Sequence, residues 1–198
     1  MPTPSAPRER VRAMRRHRGL SVALLGPDGV GKSTLAARLA AAYPAPARTI
    51  YMGMWQGADR PGRTRLDAVL AILVRPLRVW GCVARAAAYA ARGHLVLFDR
   101  YTYDALLPVT GSLRWLKRPY FWVLAHLAPR PDLVVVLDLP GEVAFARKGE
   151  FSPAGLEAVR QGFLALAPRI GAEVVDASAP PEQVCADVLS RINGHRGR

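Results

Sequence analysis

The chain has 198 residues, about the length of one domain, and 51% of them are hydrophobic, which excludes an intrinsically disordered protein. Its 28 lysines and arginines outnumber its 15 aspartates and glutamates, for a formal net charge of +13. Such a charge favours acidic partners, namely nucleotides, nucleic acid or an anionic membrane surface, or else reflects a solvated arginine-rich surface.

The first 19 residues carry six arginines and one glutamate but no apolar core of the kind that a secretory signal needs. They predict a disordered basic extension before a single domain over 20–193, with a loose tail over 194–198. Two cysteines, Cys82 and Cys185, are too few for a disulfide framework, so a cytoplasmic location is expected.

Apolar runs alternate with helical patterns along the rest of the chain. Strands are predicted over 20–26, 48–52, 94–101, 131–140 and 172–178. Helices are predicted over 32–43, 66–91 (with Pro76 kinking or restarting it), 112–129, 180–192 and, as a pair divided near 152–153, over 141–168. Strands separated by helices indicate a parallel sheet covered on both faces, with ligands at the carboxyl ends of the strands.

A glycine-rich segment, "GPDGVGKS", follows the first strand and opens the first helix. It matches G-x-x-x-x-G-K-[ST], in which backbone N–H groups surround a phosphate, the lysine reaches the β- and γ-phosphates and the hydroxyl binds Mg²⁺. The motif predicts that the chain binds a nucleoside triphosphate through Gly26, Asp28, Gly29, Val30, Gly31, Lys32, Ser33 and Thr34.

Four segments in the same order resemble the thymidylate kinase family, one of the P-loop nucleoside monophosphate kinases. They are "GPDGVGKST", "FDRY", "PDLVVVLDLPGEVAFARK" and "VVDASAPPEQV", and the resemblance covers about residues 20–192. It implies a three-layer α/β/α fold with five parallel strands in the order 2-3-1-4-5. It also implies transfer of the γ-phosphoryl group of Mg-ATP to a small acceptor such as dTMP.

Asp99 and Arg100 end the third predicted strand, where a ligand is expected. Arg100 is predicted to hold the acceptor phosphate with two parallel hydrogen bonds, which a lysine cannot make. Asp99 is predicted to bind Mg²⁺ together with Ser33, or to orient Arg100. A purely structural ion pair is the alternative for both residues.

Three more residues, Asp28, Tyr101 and Asp104, are assigned to the acceptor side. The resemblance implies that Asp28 holds a sugar hydroxyl of the acceptor, whereas a simple complement to the helix dipole is the alternative. Asp104, flanked by Tyr101 and Tyr103, is predicted to accept a proton or a hydrogen bond from the acceptor, or else to cap a turn.

The remaining site residues follow the fourth and fifth strands. The resemblance implies that Arg147 or Lys148 belongs to a mobile lid that meets the transferring phosphoryl group, and a solvated basic turn is the alternative. Asp176 and Ser178 are assigned to the adenine side, where ordinary loop residues are the alternative.

Three departures from the family pattern all fall on the acceptor side: "YMGMWQG" after the second strand, "WGCVARAAAYAARG" in the long helix and "TYDALLP" after the third strand. The acceptor is therefore left open between a nucleotide and a sugar or natural-product hydroxyl. A nucleic-acid-associated ATPase and a catalytically idle nucleotide-binding or membrane-surface protein are the other readings. The resemblance further implies a homodimer, for which 112–128 is the predicted surface.

Overall fold

Five short apolar segments form one parallel sheet in this computed structural model, which describes residues 19–53, 65–107, 114–149 and 151–196. The sheet order is β2-β3-β1-β4-β5. The strands are β1 (Ser21–Leu25), β2 (Ala47–Tyr51), β3 (Leu95–Asp99), β4 (Leu133–Asp138) and β5 (Glu173–Asp176). The predicted strand order is thereby confirmed.

Six α-helices and one short 3₁₀ turn occur in the described residues. They are α1 (Lys32–Ala42), α2 (Arg65–Ala91), α3 (Arg114–His126), α4 (Gly141–Lys148), α5 (Pro153–Ile170) and α6 (Pro181–Arg196), with the turn over Thr102–Leu106 after β3. Alternate residues of the buried strands face opposite sides, so the sheet carries two cores. One core joins Ala23 and Leu25 to α2, α3 and α5, and the other joins Val22 and Leu24 to α1, α4 and α6. The predicted three-layer α/β/α architecture is confirmed.

Pro76 lies inside α2, which continues through it as one helix from 65 to 91 instead of restarting. A proline has no N–H, so the carbonyl of Ile72, four residues earlier, loses its helical donor. The hydroxyl of Tyr120 in α3 donates to that carbonyl at 2.9 Å. A side chain from a neighbouring helix therefore replaces the missing hydrogen bond.

The ends of the predicted domain shift slightly. Helix α6 continues to Arg196, beyond the boundary predicted at 193, and Arg196 donates to the Tyr43 hydroxyl at 3.2 Å. Gly19, predicted to be part of the extension, is buried and donates its N–H to Ala90 O at 2.7 Å. Residues 1–18 and residues 54–64, which include most of the "YMGMWQG" segment, lie outside the described residues. Across the described ranges, no helix combines the length and the apolarity needed to cross a membrane.

Candidate active site

The loop between β1 and α1 curls around its own glycines. Gly26, Gly29 and Gly31 have φ angles of 139°, 82° and 96°, in the region that side chains other than glycine rarely adopt. A Cβ on Gly29 would lie 2.5 Å from the carbonyl oxygen of Ala144 in α4, so only glycine fits between the loop and that helix. The loop thus has the curled backbone that the predicted phosphate cradle requires.

Lys32 holds the loop in this shape from inside. Its side chain is 6% exposed, and its ammonium donates to Gly26 O at 2.9 Å and to Pro27 O at 2.7 Å. Burial, together with the positive charge of Arg100, lowers the pKa of Lys32 to about 8. The Lys32 ammonium, which is predicted to contact the β- and γ-phosphates, is therefore hydrogen-bonded to carbonyls of the loop.

Ser33 and Asp99 meet beside the loop. The pairing of β1 with β3 sets Asp99 opposite Leu24, at the carboxyl end of the sheet. The Ser33 hydroxyl donates to Asp99 Oδ2 at 2.6 Å. Mg²⁺ prefers oxygen ligands and takes few from the protein when phosphates supply the others. This hydroxyl–carboxylate pair fits the predicted metal site.

Arg100 adopts an unusual backbone conformation at the end of β3. Its φ angle is 68°, which costs a residue other than glycine about 1–3 kcal/mol, and its N–H donates to Leu24 O at 3.1 Å. The guanidinium binds the carboxylate of Asp28 and lies 3.4 Å from Asp104 Oδ2. Burial alone would lower the pKa of Arg100, but the two carboxylates outweigh it and raise the pKa. Arg100 is thus oriented by Asp28 and Asp104, and not by Asp99 as one sequence interpretation had it.

Asp28 belongs to the site rather than to the dipole of α1. It precedes Gly31, the N-cap of that helix, and its carboxylate pairs with Arg100 and lies 3.9 Å from the Lys32 ammonium. Burial raises the pKa of Asp28, but the charges of Arg100 and Lys32 outweigh burial and the net pKa is lowered. An ionised carboxylate therefore links the loop to the end of β3.

Tyr101 is part of the core. It is 1% exposed, its hydroxyl donates to Pro129 O, and its ring lies 5.0 Å from that of Phe98 and 5.1 Å from that of Tyr103. The acceptor contact predicted for Tyr101 has no support from this arrangement, because its ring is buried and its hydroxyl is already bonded to Pro129 O.

The chain is similar in sequence to curated thymidylate kinases from several bacteria. A thymidylate kinase of Thermomicrobium roseum is 30% identical over 196 residues, covering 84% of this chain and 91% of that protein. Thymidylate kinases of Xanthomonas euvesicatoria and Xanthomonas campestris are 32% and 33% identical, each covering 84% of this chain and 80% and 79% of their own lengths. The chain belongs to the thymidylate kinase family. It is therefore an ATP-dependent kinase.

Two further comparisons complete this result. No protein-family model matches the chain. The solved thymidylate kinase of Candida albicans superposes with a TM-score of 0.65 at 21% identity, covering 90% of this chain and 94% of that one, which supports the fold.

The remaining predicted site residues of this thymidylate kinase family member lie at the ends of α4 and β5. Arg147 and Lys148 are exposed in the last turn of α4, and the charge of Lys148 helps to lower the pKa of Asp28. Asp176 ends β5, where its Oδ1 accepts from the Ser178 N–H at 2.8 Å and from its hydroxyl at 2.6 Å. The structure thus brings Lys148 towards the loop, whereas Asp176 and Ser178 form a small turn of their own.

The sequence interpretation missed an ion-pair network beside α4. Arg160 in α5 binds both carboxylate oxygens of Asp138 at the end of β4, and it donates to Glu157 at 2.8 Å. Glu157 in turn accepts the N–H of Gly141, the first residue of α4, at 3.0 Å. The network anchors the helix that packs against Gly29. The strand-end rule that selected Asp99 applies equally to Asp138.

Proposed function

We propose that the chain transfers the γ-phosphoryl group of Mg-ATP to a nucleoside monophosphate, with dTMP as the first acceptor to test. The observation that carries this proposal is the position of Arg100, whose guanidinium joins Asp28 of the phosphate loop to the end of β3, next to the Ser33–Asp99 pair. The relatives named thymidylate kinases support dTMP as the acceptor.

In this proposal the chain mainly binds, orients and neutralises charge, because phosphoryl transfer requires little covalent chemistry from the protein. Lys32 exchanges the carbonyls of Gly26 and Pro27 for phosphate oxygens. Ser33 and Asp99 hold Mg²⁺, which would neutralise charge on the β- and γ-phosphates. Arg100 presents two N–H groups to the acceptor phosphate.

Supporting roles in the same proposal belong to Arg147, Lys148, Asp176 and Ser178. Arg147 and Lys148 stand at the C-terminal end of a helix that packs on Gly29, so a small movement of that helix would carry their charges over the triphosphate. Asp176 and Ser178 would lie beside the adenine at the carboxyl end of β5. A cytoplasmic location is also proposed, in keeping with the free thiols of Cys82 and Cys185.

A second candidate function is a kinase that phosphorylates a hydroxyl of a sugar or natural product. It is favoured by the two carboxylates around Arg100, because they compensate its charge before any acceptor arrives. A hydroxyl acceptor has less need of an uncompensated guanidinium than a phosphate acceptor has.

A panel of acceptors distinguishes the two functions. The full chain is incubated with Mg-ATP and, in separate reactions, dTMP, the other deoxynucleoside and nucleoside monophosphates, thymidine and common sugars, and ADP release is measured. We expect dTMP to give the highest kcat/KM and thymidine to give background rates. Turnover with hydroxyl compounds and none with monophosphates would replace the first proposal by the second.

We also propose that the chain forms a homodimer, through an apolar surface on α2. Seven exposed residues of that helix recur at alternating intervals of four and three, the spacing of a helix–helix seam: Leu70, Val74, Leu77, Gly81, Ala84, Ala88 and Ala91. The C-terminal four are small, which allows a second helix to approach closely. In α3, Trp122 and Val123 are 59% and 54% exposed and extend the surface into the predicted 112–128 region.

Leu77→Glu tests this dimer, because Leu77 is 73% exposed and its replacement leaves the core intact. We expect sedimentation to show a dimer for the parent chain and a monomer for the variant, since two glutamates would be desolvated at the seam. Val159→Glu on α5, where Val159 is 38% exposed, is the matched control and should remain dimeric. A parent chain that sediments as a monomer would contradict the proposal.

A further inference from the structure

Asp104 is the most deeply buried carboxylate in the candidate site, at 3% exposed. It lies in the 3₁₀ turn after β3, with Oδ2 3.4 Å from Arg100 Nη1. Its other oxygen, Oδ1, has no hydrogen-bond partner among the described residues. A buried charge is costly unless a partner compensates it, and here that partner is an arginine of the site.

A capping role does not explain this burial. The 3₁₀ turn begins after Tyr101 with no side-chain cap, and the backbone N–H of Asp104 donates to Tyr101 O at 3.1 Å. The turn is thus closed by backbone hydrogen bonds, whereas the Asp104 side chain faces Arg100. The capping role that was the predicted alternative for Asp104 is therefore replaced by a role in which Asp104 acts through Arg100.

The guanidinium of Arg100 has two anchors of different kinds. Asp28 comes from the phosphate loop, where the Lys32 ammonium is bonded to two carbonyls that it would exchange for phosphate oxygens in the proposed function, and its side chain is 27% exposed. Asp104 comes from a turn that packs against α3, where Thr102 donates to Ala125 O at 3.0 Å. One anchor therefore belongs to the part that would change on ATP binding in that function, and the other belongs to the core.

We propose that Asp104 is a positioning residue that keeps Arg100 oriented when Asp28 and the loop adjust to ATP. The inference rests on the proposed function, in which Arg100 holds the acceptor phosphate. Arg100 is 19% exposed and can meet the acceptor, whereas Asp104 lies behind it. Asp104 also neutralises part of the charge of Arg100. It therefore orients the guanidinium but weakens the attraction between Arg100 and the acceptor phosphate.

This arrangement predicts a distinctive kinetic result for Asp104→Asn. We expect kcat to fall about tenfold to a hundredfold, because misplacing a group that orients the acceptor has effects of that size. The KM for the acceptor should stay constant or decrease, since the variant removes a negative charge and no acceptor contact. The KM for ATP should not change. Asp104→Ser serves as a second variant if the asparagine variant does not fold.

The matched control is Asp187→Asn, which removes an exposed aspartate paired with Arg191 at the same spacing of four residues. It should have parental kinetics. An increased acceptor KM with unchanged kcat in Asp104→Asn would overturn the inference, because it would make Asp104 an acceptor contact. Unchanged values of both constants would overturn it as well.

A spectroscopic measurement separates this inference from the proposed function. The side-chain Nε–Hε NMR signal of Arg100 is identified by its loss in Arg100→Lys and is followed in the presence of ATP. We expect the signal to move to the position of a mobile arginine in Asp104→Asn but not in Asp187→Asn. If the parent chain phosphorylates no acceptor, the proposed function is refuted. The positioning role of Asp104 is then tested by the Arg100 signal alone. An unchanged Arg100 signal would refute the positioning role.

Discussion

Replacing Lys32 by alanine is expected to lower kcat about a thousandfold, since removing one preorganised donor to developing charge has effects up to that size. Lys32 is buried in the loop, and its ammonium lies where the loop carbonyls converge, so the variant loses the donor at that position. The measurement is single-turnover transfer from ATP to dTMP at saturating acceptor.

The pH dependence provides a second readout for Lys32. Its pKa of about 8 applies to the free protein, so the ammonium is lost as the pH rises through that value. We expect kcat/KM for ATP to fall above about pH 8, because this ratio reports ionisations of the free enzyme. The decline in kcat should begin at higher pH, since bound phosphates stabilise the protonated lysine. A kcat/KM that stays flat to pH 10 would contradict the environment described here.

Replacing Arg100 by alanine is expected to reduce kcat/KM for the acceptor by about a hundredfold to a thousandfold while the Kd of ATP changes little. In the proposed function the loss falls on the acceptor, because Arg100 is assigned to the acceptor phosphate, whereas Lys32, Ser33 and the loop backbone are assigned to the triphosphate. Calorimetric titration with a non-hydrolysable ATP analogue and steady-state kinetics with varied dTMP separate the two effects.

Arg100→Lys is the matched variant for this prediction. It keeps the positive charge and the left-handed backbone but lacks the planar fork that binds a phosphate through two parallel bonds. We expect it to recover only part of the lost kcat/KM. A large loss of ATP affinity with normal acceptor affinity in Arg100→Ala would mean that the two sides of the site have been assigned in reverse.

Much of the candidate site could be predicted from the sequence because its residues occupy positions that are defined by the order of strands and helices along the chain. The glycine spacing before Lys32 indicates a phosphate loop wherever a strand precedes it and a helix follows. The carboxyl ends of parallel strands meet at one edge, which locates Asp99 and Arg100 beside that loop although 67 positions separate Lys32 from Asp99 in the printed sequence. Both inferences need only the order of the elements.

The features that could not be predicted depend on packing between distant elements. Pro76 predicts a break in the helix when only its sequence neighbours are considered. The hydroxyl that replaces the missing hydrogen bond comes from Tyr120 in the neighbouring helix α3, which reaches the Ile72 carbonyl. Similarly, the pattern around Asp104 does not reveal whether its side chain caps the turn or faces Arg100. The orientation of Asp104 depends on where the Arg100 side chain lies, and neither that position nor the left-handed backbone of Arg100 is evident from the sequence.

The hydroxyl of Tyr120 has a mechanical consequence. Because it supplies the donor that Pro76 cannot, moving α3 away from α2 would exchange this exposed hydrogen bond for one to water, at a cost of about 1 kcal/mol. The bond therefore links the two helices weakly. In the proposed dimer, a second copy seated across both helices would shield this contact from water, and Tyr120→Phe would remove the link.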